Sequence, residues 1–151
     1  FSPQAVEKLV KDFPEAIQGC KDSSYNLYEI LKIPGFSMLP GSETKLLHGL
    51  QNGANGIISA VTNVTHVLAK QVYDDFQNNK EQTVNEKLCE VRKAFDNTGN
   101  LISALHSFLS VRDKNYERLL PPLTLLSKKK QRELLQTLKE LDFIPTKNIA
   151  A

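Results

Sequence analysis

A lysine near the start of the chain has the position most suggestive of chemistry. Lys21 ends the segment 16–21, which we predict to be a short strand. Alternate residues of a strand share a face, so Gly19 and Lys21 point one way and Cys20 points the other. We expect Gly19 to leave room beside the amine. If this strand belongs to a parallel β-barrel, the barrel walls would remove water from around the amine. Loss of solvation lowers the pKa of the amine and favours its neutral form. A neutral amine can attack a ketone and form a Schiff base, and the iminium then accepts electrons from the adjacent carbon–carbon bond.

Lys21 also has a simpler interpretation. The turn at residues 22–24 follows directly, so the residue fits a surface lysine in a loop between a strand and a helix. Local spacing alone favours this second interpretation over catalysis.

The elements that must position Lys21 alternate between helices and strands. We predict strands at residues 16–21, 36–39 and 56–61, each preceded by a helix. Strands joined by helices pair in parallel through right-handed crossovers. Three parallel strands with open edges do not make a complete domain, and a (β/α)8 barrel needs about 250 residues. We therefore predict an α/β fold: the C-terminal part of a (β/α)8 TIM barrel with about three parallel strands, followed by an all-helical C-terminal extension.

The remainder of the chain has helical periodicity. Apolar residues between positions 64 and 76 recur at the spacing of one buried helix face. Further helical patterns follow at 88–95 and 101–109, and after Ser127. We divide the chain into a partial barrel (1–63), the last barrel helix (64–79) and a helical C-terminal extension (80–151).

Four ordered segments resemble one enzyme family. Gly-Cys-Lys-Asp-Ser-Ser at 19–24 resembles the Gly-x-Lys-[Asp/Glu]-x-[Ser/Thr] segment of the dihydrodipicolinate synthase / N-acetylneuraminate lyase family, which are class I pyruvate aldolases on a (β/α)8 barrel. Leu-Pro-Gly-Ser-Glu at 39–43, the stretch 50–63 and the stretch 118–127 resemble later segments of the family in the same order. The resemblance implies that this chain corresponds to the part of the barrel that follows the family's fifth strand.

The resemblance assigns roles to three residues on the predicted strands. Lys21 matches the lysine that forms the Schiff base. Ile58 matches the residue whose backbone carbonyl lines the pyruvate pocket, and Ala60 matches a position near the bound substrate. Ile58 and Ala60 are also expected core residues, whatever the function.

The resemblance also assigns a role to one loop. Gly41, Ser42 and Glu43 match the loop that reaches the substrate's hydroxyl groups in the sugar-acid members of the family. From the residues alone, Gly41 equally fits a turn, and Glu43 equally fits the N-terminus of a helix, where a carboxylate is stabilised by the dipole.

The activity implied by the resemblance is a Schiff-base aldolase that cleaves a 2-keto-3-deoxy sugar acid to pyruvate and an aldehyde. The Gly-Ser-Glu loop favours sugar-acid substrates, and residues 99–106 lack the Asn-Pro-x-x-x-Lys run of dihydrodipicolinate synthases. Within the family, the chain resembles archaeal 2-keto-3-deoxygluconate aldolases. The alternatives are dihydrodipicolinate synthase activity, N-acetylneuraminate lyase activity, or a catalytically silent half-barrel that associates through its open edges.

Two family segments do not occur in this chain: the Tyr-Asn-x-Pro segment with the catalytic tyrosine and the Gly-[Thr/Ser]-Thr-Gly-Glu segment that binds the pyruvate carboxylate. We therefore expect a fragment, starting at Phe1 rather than at Met, that is inactive alone. The expected partners are the missing N-terminal half of the barrel, a 2-keto acid, and further copies in a dimer or tetramer. No cofactor is expected, because the iminium supplies the electron sink.

Composition argues against several other classes of protein. The 151 residues are 40% hydrophobic and 24% charged, as in a folded domain. A net charge of +2 is small for a nucleic-acid-binding protein. The two cysteines and three histidines lack metal-site spacing, so no metal is expected. No apolar run approaches the ~20 residues of a membrane helix, and no signal peptide is evident, so we expect a cytoplasmic protein.

Overall fold

A computed structural model describes residues 1–24 and 26–143. Its first part contains α1 (Pro3–Asp12), β1 (Gly19–Asp22), α2 (Leu27–Ile30), β2 (Ser37–Pro40), a 3-10 turn (Glu43–Lys45) and α3 (Leu46–Gln51). Its second part contains α4 (Thr62–Gln77), α5 (Asn85–Asp96), α6 (Leu101–Leu109), a second 3-10 turn (Lys114–Glu117) and α7 (Lys128–Glu140). The end of the predicted extension, 144–151, lies outside the described residues.

The two strands pair in parallel, as predicted. Their register runs from Gly19 opposite Ser37 to Asp22 opposite Pro40. The short helix α2 lies in the connection between them, as a parallel pair requires. The carboxyl ends of both strands therefore lie side by side.

Residues 56–61, predicted as the third strand, do not form a regular strand in the structure. The segment runs beside β2: the Asn55 amide donates to the Met38 carbonyl at 2.9 Å, and the Ile58 amide donates to the Pro40 carbonyl at 3.1 Å. Pro40 has no N–H to donate in return, which interrupts the ladder. Gly56 has a φ of 153°, outside the regular range of a strand. An irregular segment thus follows the path of a third strand.

The ends of the helices are set by local caps. Ser2 Oγ accepts the Ala5 amide at 3.2 Å, and Pro3 occupies the first helical position of α1. Ser127 Oγ caps α7 in the same way, through the Lys130 amide at 3.3 Å.

The helical extension shares a core with the end of the barrel segment. Val61, directly before α4, is fully buried in one cluster with side chains of α5, α6 and α7. Within this cluster the rings of Phe95 and Phe108 meet edge to face, with centroids 5.4 Å apart. Two smaller clusters lie beneath β2 and between α3, α4 and α5. The extension is therefore packed onto the barrel segment.

None of the helices in the described ranges has the length and apolar character needed to cross a membrane. Within the same ranges, no three or more potential metal-binding side chains cluster together.

Candidate active site

Lys21 lies near the carboxyl end of β1, with its side chain exposed. Gly19 on the same strand face is also exposed, whereas Asp22 on the opposite face is buried. The amine thus projects from the strand end on the face that the sequence predicted.

Asp22, the residue after Lys21, holds the turn between β1 and α2 through its side chain. It is 5% exposed, and its carboxylate accepts the Ser24 amide at 3.0 Å and the Leu27 amide at 2.9 Å. The second contact lies at the start of α2, where the backbone amides of a helix have no partners within it. Asp22 therefore joins the end of the lysine strand to the following helix.

Cys20 packs inward, as the alternation of side chains predicted. Its Sγ lies 4.0 Å from Met38 Sδ on the neighbouring strand. Burial, followed by the nearby charge of Asp22, raises the pKa of the Cys20 thiol above its usual value. Since the thiolate is the reactive form, the thiol behaves as a packing group rather than a nucleophile.

Gly19 is required by its neighbour on β2. A Cβ at this position would lie 2.8 Å from the Ser37 carbonyl oxygen and 3.0 Å from Ser37 Cβ. Glycine is therefore needed at position 19, because Ser37 of the neighbouring strand approaches too closely for a side chain.

The loop after β2 lies against the end of the lysine strand. The Gly41 amide donates to the Asp22 carbonyl at 2.9 Å. A Cβ on Gly41 would lie 2.3 Å from Ser23 Oγ and 2.9 Å from Ser23 Cα. Glycine is therefore needed at position 41 because two loops approach closely, and not because of an unusual turn.

Replacing Gly41 with alanine is expected to destabilise the chain by about 1–3 kcal/mol, the usual cost of overpacking. The added methyl group forces Ser23 away and lengthens the hydrogen bond from the Gly41 amide to the Asp22 carbonyl. Urea unfolding of the variant measures the effect. Ser42→Ala is the control, because it removes only a 3.0 Å hydroxyl contact with Thr44. Equal unfolding midpoints for the two variants would show that the close approach is unimportant.

Glu43 is the most deeply buried of the predicted site residues, at 0% exposure. Its carboxylate accepts hydrogen bonds from Ser59 Oγ at 2.8 Å and from Thr65 Oγ1 at 3.3 Å. Arg92, on α5, pairs with the same carboxylate at 2.7 Å. These contacts tie the loop to the protein interior, and the predicted contact of Glu43 with substrate remains a prediction.

Arg92 is held on two sides. Its Nη1 donates to Glu43 and also to Ser59 Oγ at 3.0 Å, while its Nε donates to both carboxylate oxygens of Asp96 at 2.9 Å. Burial by itself would lower the pKa of Arg92, but the hydrogen bonds and charges of Glu43 and Asp96 raise it above its usual value.

Ile58 and Ala60 lie on either side of Ser59, in the irregular third segment. Ile58 is 47% exposed, which differs from the expected core position, and its amide contacts the end of β2. Ala60 is half-buried and lines a cleft of about 480 Å³ together with His66, His106 and Tyr116. The Nδ1 of His106 donates to the Tyr116 carbonyl at 2.8 Å, because a carbonyl can only accept.

Three residues that hold the site together were missed from the sequence. In the sequence, Asp22 stands only as one letter of the lysine motif, and Ser59 only as part of the stretch 50–63. Arg92 carried no signal at all, because its partner Glu43 is 49 positions away.

The model of the dihydrodipicolinate synthetase family matches residues 1–141. The chain belongs to this family. No curated protein sequence matches the chain.

Solved structures of the dihydrodipicolinate synthetase family and its relatives have the same fold. A dihydrodipicolinate synthase from Agrobacterium tumefaciens has a TM-score of 0.78 at 22% identity, covering 93% of this chain and 48% of that one. YagE of E. coli K12, described as a dihydrodipicolinic acid synthase family protein in complex with pyruvate, has a TM-score of 0.81 at 18% identity, covering 95% and 52%.

An N-acetylneuraminate lyase from Fusobacterium nucleatum, complexed with pyruvate, has a TM-score of 0.77 at 16% identity, covering 93% of this chain and 49% of that chain. The chain therefore spans about half the length of these structures. Together with the family match, this confirms the predicted fold: the C-terminal half of a TIM barrel with its helical extension.

Proposed function

We propose that this chain, within a complete barrel, supplies the Schiff-base lysine of a class I aldolase. The proposed reaction cleaves a 2-keto-3-deoxy sugar acid to pyruvate and an aldehyde. One observation carries the proposal: the exposed amine of Lys21 lies at the carboxyl end of a parallel strand. In barrels of this kind, active sites are built at that end of the strands. Support also comes from two of the structural relatives, which are complexes with pyruvate.

The proposed chemistry begins with Lys21 as a neutral amine. Its nitrogen attacks the C2 carbonyl carbon of the 2-keto acid, and loss of water gives an iminium. A base takes the proton of the C4 hydroxyl, the C3–C4 bond breaks, and its electron pair moves into the iminium. The aldehyde leaves from C4, and an enamine of pyruvate remains. Protonation at C3 and hydrolysis release pyruvate and regenerate the amine.

The other predicted site residues would bind the substrate around this amine. The carbonyl of Ile58 would line the pyruvate pocket, and Ala60 would lie near the substrate. Within the loop, Gly41 and Ser42 remain candidates for contacts with substrate hydroxyl groups, and Ser42 is half-buried. Glu43 would serve this role only if its carboxylate exchanged a protein partner for the substrate.

The missing half of the barrel would supply the remaining groups. The resemblance places the catalytic tyrosine and the carboxylate-binding segment there, so the isolated chain is expected to be inactive. The similarity to archaeal 2-keto-3-deoxygluconate aldolases, the cytoplasmic location and the dimer or tetramer all remain predictions.

Substrate turnover tests the proposed activity, measured on a version of the protein that includes the missing N-terminal half of the barrel (the full-length version). Pyruvate release, followed with lactate dehydrogenase and NADH, is compared for 2-keto-3-deoxygluconate and N-acetylneuraminate. Consumption of pyruvate with aspartate semialdehyde is measured in parallel. We expect the highest kcat/KM with 2-keto-3-deoxygluconate. Preference for either other reaction would overturn the proposed substrate, and no turnover of any of the three would overturn the proposed activity.

A further inference from the structure

We propose that Arg92, in the helical extension, is a positioning residue for the candidate active site. Acting through Glu43, it holds the loop 41–43 between the end of the lysine strand and the segment at Ser59. The inference rests on the proposed function, because the loop matters for substrate binding only if Lys21 is catalytic.

The loop is attached at its first residue to the lysine strand. Gly41 donates its amide to the carbonyl of Asp22, the residue after Lys21, at 2.9 Å. Gly41 also packs so closely on Ser23 that no side chain fits between them. A displacement of the loop would therefore be transmitted to the backbone next to the amine.

At its third residue the loop is attached to the segment that carries Ile58 and Ala60. The Ser59 hydroxyl donates to Glu43 and accepts from the Val61 amide at 3.2 Å and from Arg92 at 3.0 Å. A hydroxyl has one donor and two acceptor sites, so all three are used. Ser59 is 8% exposed, and it has no spare capacity for another partner.

Among the side chains that contact Glu43, Arg92 is the one that belongs to the helical extension, 80–151. Its side chain is 12% exposed, whereas that of its partner Glu43 is 0% exposed. The planar guanidinium reaches Glu43 and Asp96 from different nitrogens, which an ammonium group at the end of a lysine cannot reproduce. The position of α5 therefore determines where the Glu43 carboxylate is held.

Most other ion pairs on the described part of the chain link neighbouring turns of a single helix or lie at the surface. The Lys70–Asp74 pair on α4, for example, has side chains 69% and 43% exposed. Such pairs cannot position one part of the chain against another. The Glu43–Arg92 pair joins α5 to the loop across 49 sequence positions, and it is buried.

The first test is hydrogen exchange on this chain, which needs no activity. The variant combines Glu43→Gln with Arg92→Met, so that neither a buried charge nor its counter-charge remains. We expect faster exchange of the Gly41 and Ile58 amides and unchanged exchange within α4. The control, Lys70→Met with Asp74→Asn, removes the exposed pair and should leave the loop amides unchanged. Equal loop exchange in both variants would overturn the proposal.

The second test uses the full-length version and separates positioning from stability. The Glu43→Gln, Arg92→Met variant is expected to raise the KM for the sugar acid roughly 10- to 100-fold, as for a misplaced binding group. Borohydride trapping with pyruvate, measured in parallel, shows whether Lys21 can still form a Schiff base in the variant. The single variant Arg92→Lys keeps Glu43 and the positive charge at position 92, but its ammonium group cannot make both contacts. We therefore expect its KM to lie between that of the unmodified protein and that of the double variant. A KM within twofold of the unmodified protein, in a folded variant, would overturn the inference.

The outcomes distinguish this inference from the proposed function. If the unmodified full-length protein fails to trap pyruvate, the aldolase proposal fails while the exchange result still decides whether Arg92 positions the loop. If pyruvate is trapped but loop exchange does not change in the variant, only the positioning role fails.

Discussion

Replacing Lys21 with alanine in the full-length version is expected to abolish sugar-acid cleavage, with kcat falling by about 10³-fold or more. The proposed reaction has no other route for the electrons of the C3–C4 bond, because they move into an iminium that only this amine forms. Steady-state release of pyruvate measures the loss.

Lys21→Arg is the matched variant for this prediction. It retains the positive charge, but a guanidinium stays protonated in proteins and cannot act as a nucleophile. We therefore expect it to be as inactive as Lys21→Ala. A third variant, Lys11→Ala, removes an exposed lysine from the end of α1 and should have normal turnover. Substantial activity in Lys21→Arg would mean that the lysine acts through its charge.

Replacing Phe95 with alanine is expected to destabilise the chain by about 3–5 kcal/mol. Phe95 is fully buried, and its ring packs edge to face on Phe108. The same cluster includes Val61 of the barrel segment and Leu138 of α7. Because one core joins these elements, we expect the barrel segment to lose stability together with the extension.

Urea unfolding followed by circular dichroism and by exchange of the Gly41 amide tests both parts of this prediction. Val111→Ala is the control, because this valine is 58% exposed and its truncation should change stability by less than about 0.5 kcal/mol. A large loss of helical signal at a urea concentration where Gly41 remains protected would show that the extension unfolds separately.

The strand face on which Lys21 lies could be predicted from one local pattern, the alternation of side chains along a strand. The alternation along a strand placed Lys21 on the face opposite Cys20, and the structure has this arrangement. The strand itself begins at Gly19 rather than at residue 16, since the amides of Ala16 and Ile17 bond back to the Phe13 carbonyl in a turn. Pro14 is the visible cause of that turn, because proline fixes its φ and favours turn positions.

The irregular third segment could also have been foreseen from the sequence. Pro40 comes directly after the predicted neighbouring strand, 36–39, and a proline cannot donate to a ladder. The β-branched residues at 57, 58 and 61 fit a strand locally, but pairing depends on the partner strand.

The role of Glu43 in the structure could not be predicted from the sequence. A glutamate after Gly-Ser fits a helix start or a substrate contact, and neither requires burial. Its partner Arg92 lies on a helix rich in charged residues, where it resembles part of a solvated face. Only the packing of α5 on the barrel segment brings the two side chains together.

Schiff-base formation between Lys21 and pyruvate can be measured as intact mass after incubation with pyruvate and borohydride. The full-length version should gain one reduced pyruvate, located at Lys21 by peptide mapping and lost in Lys21→Ala. A folded full-length version that remains unmodified would show that Lys21 forms no Schiff base with pyruvate.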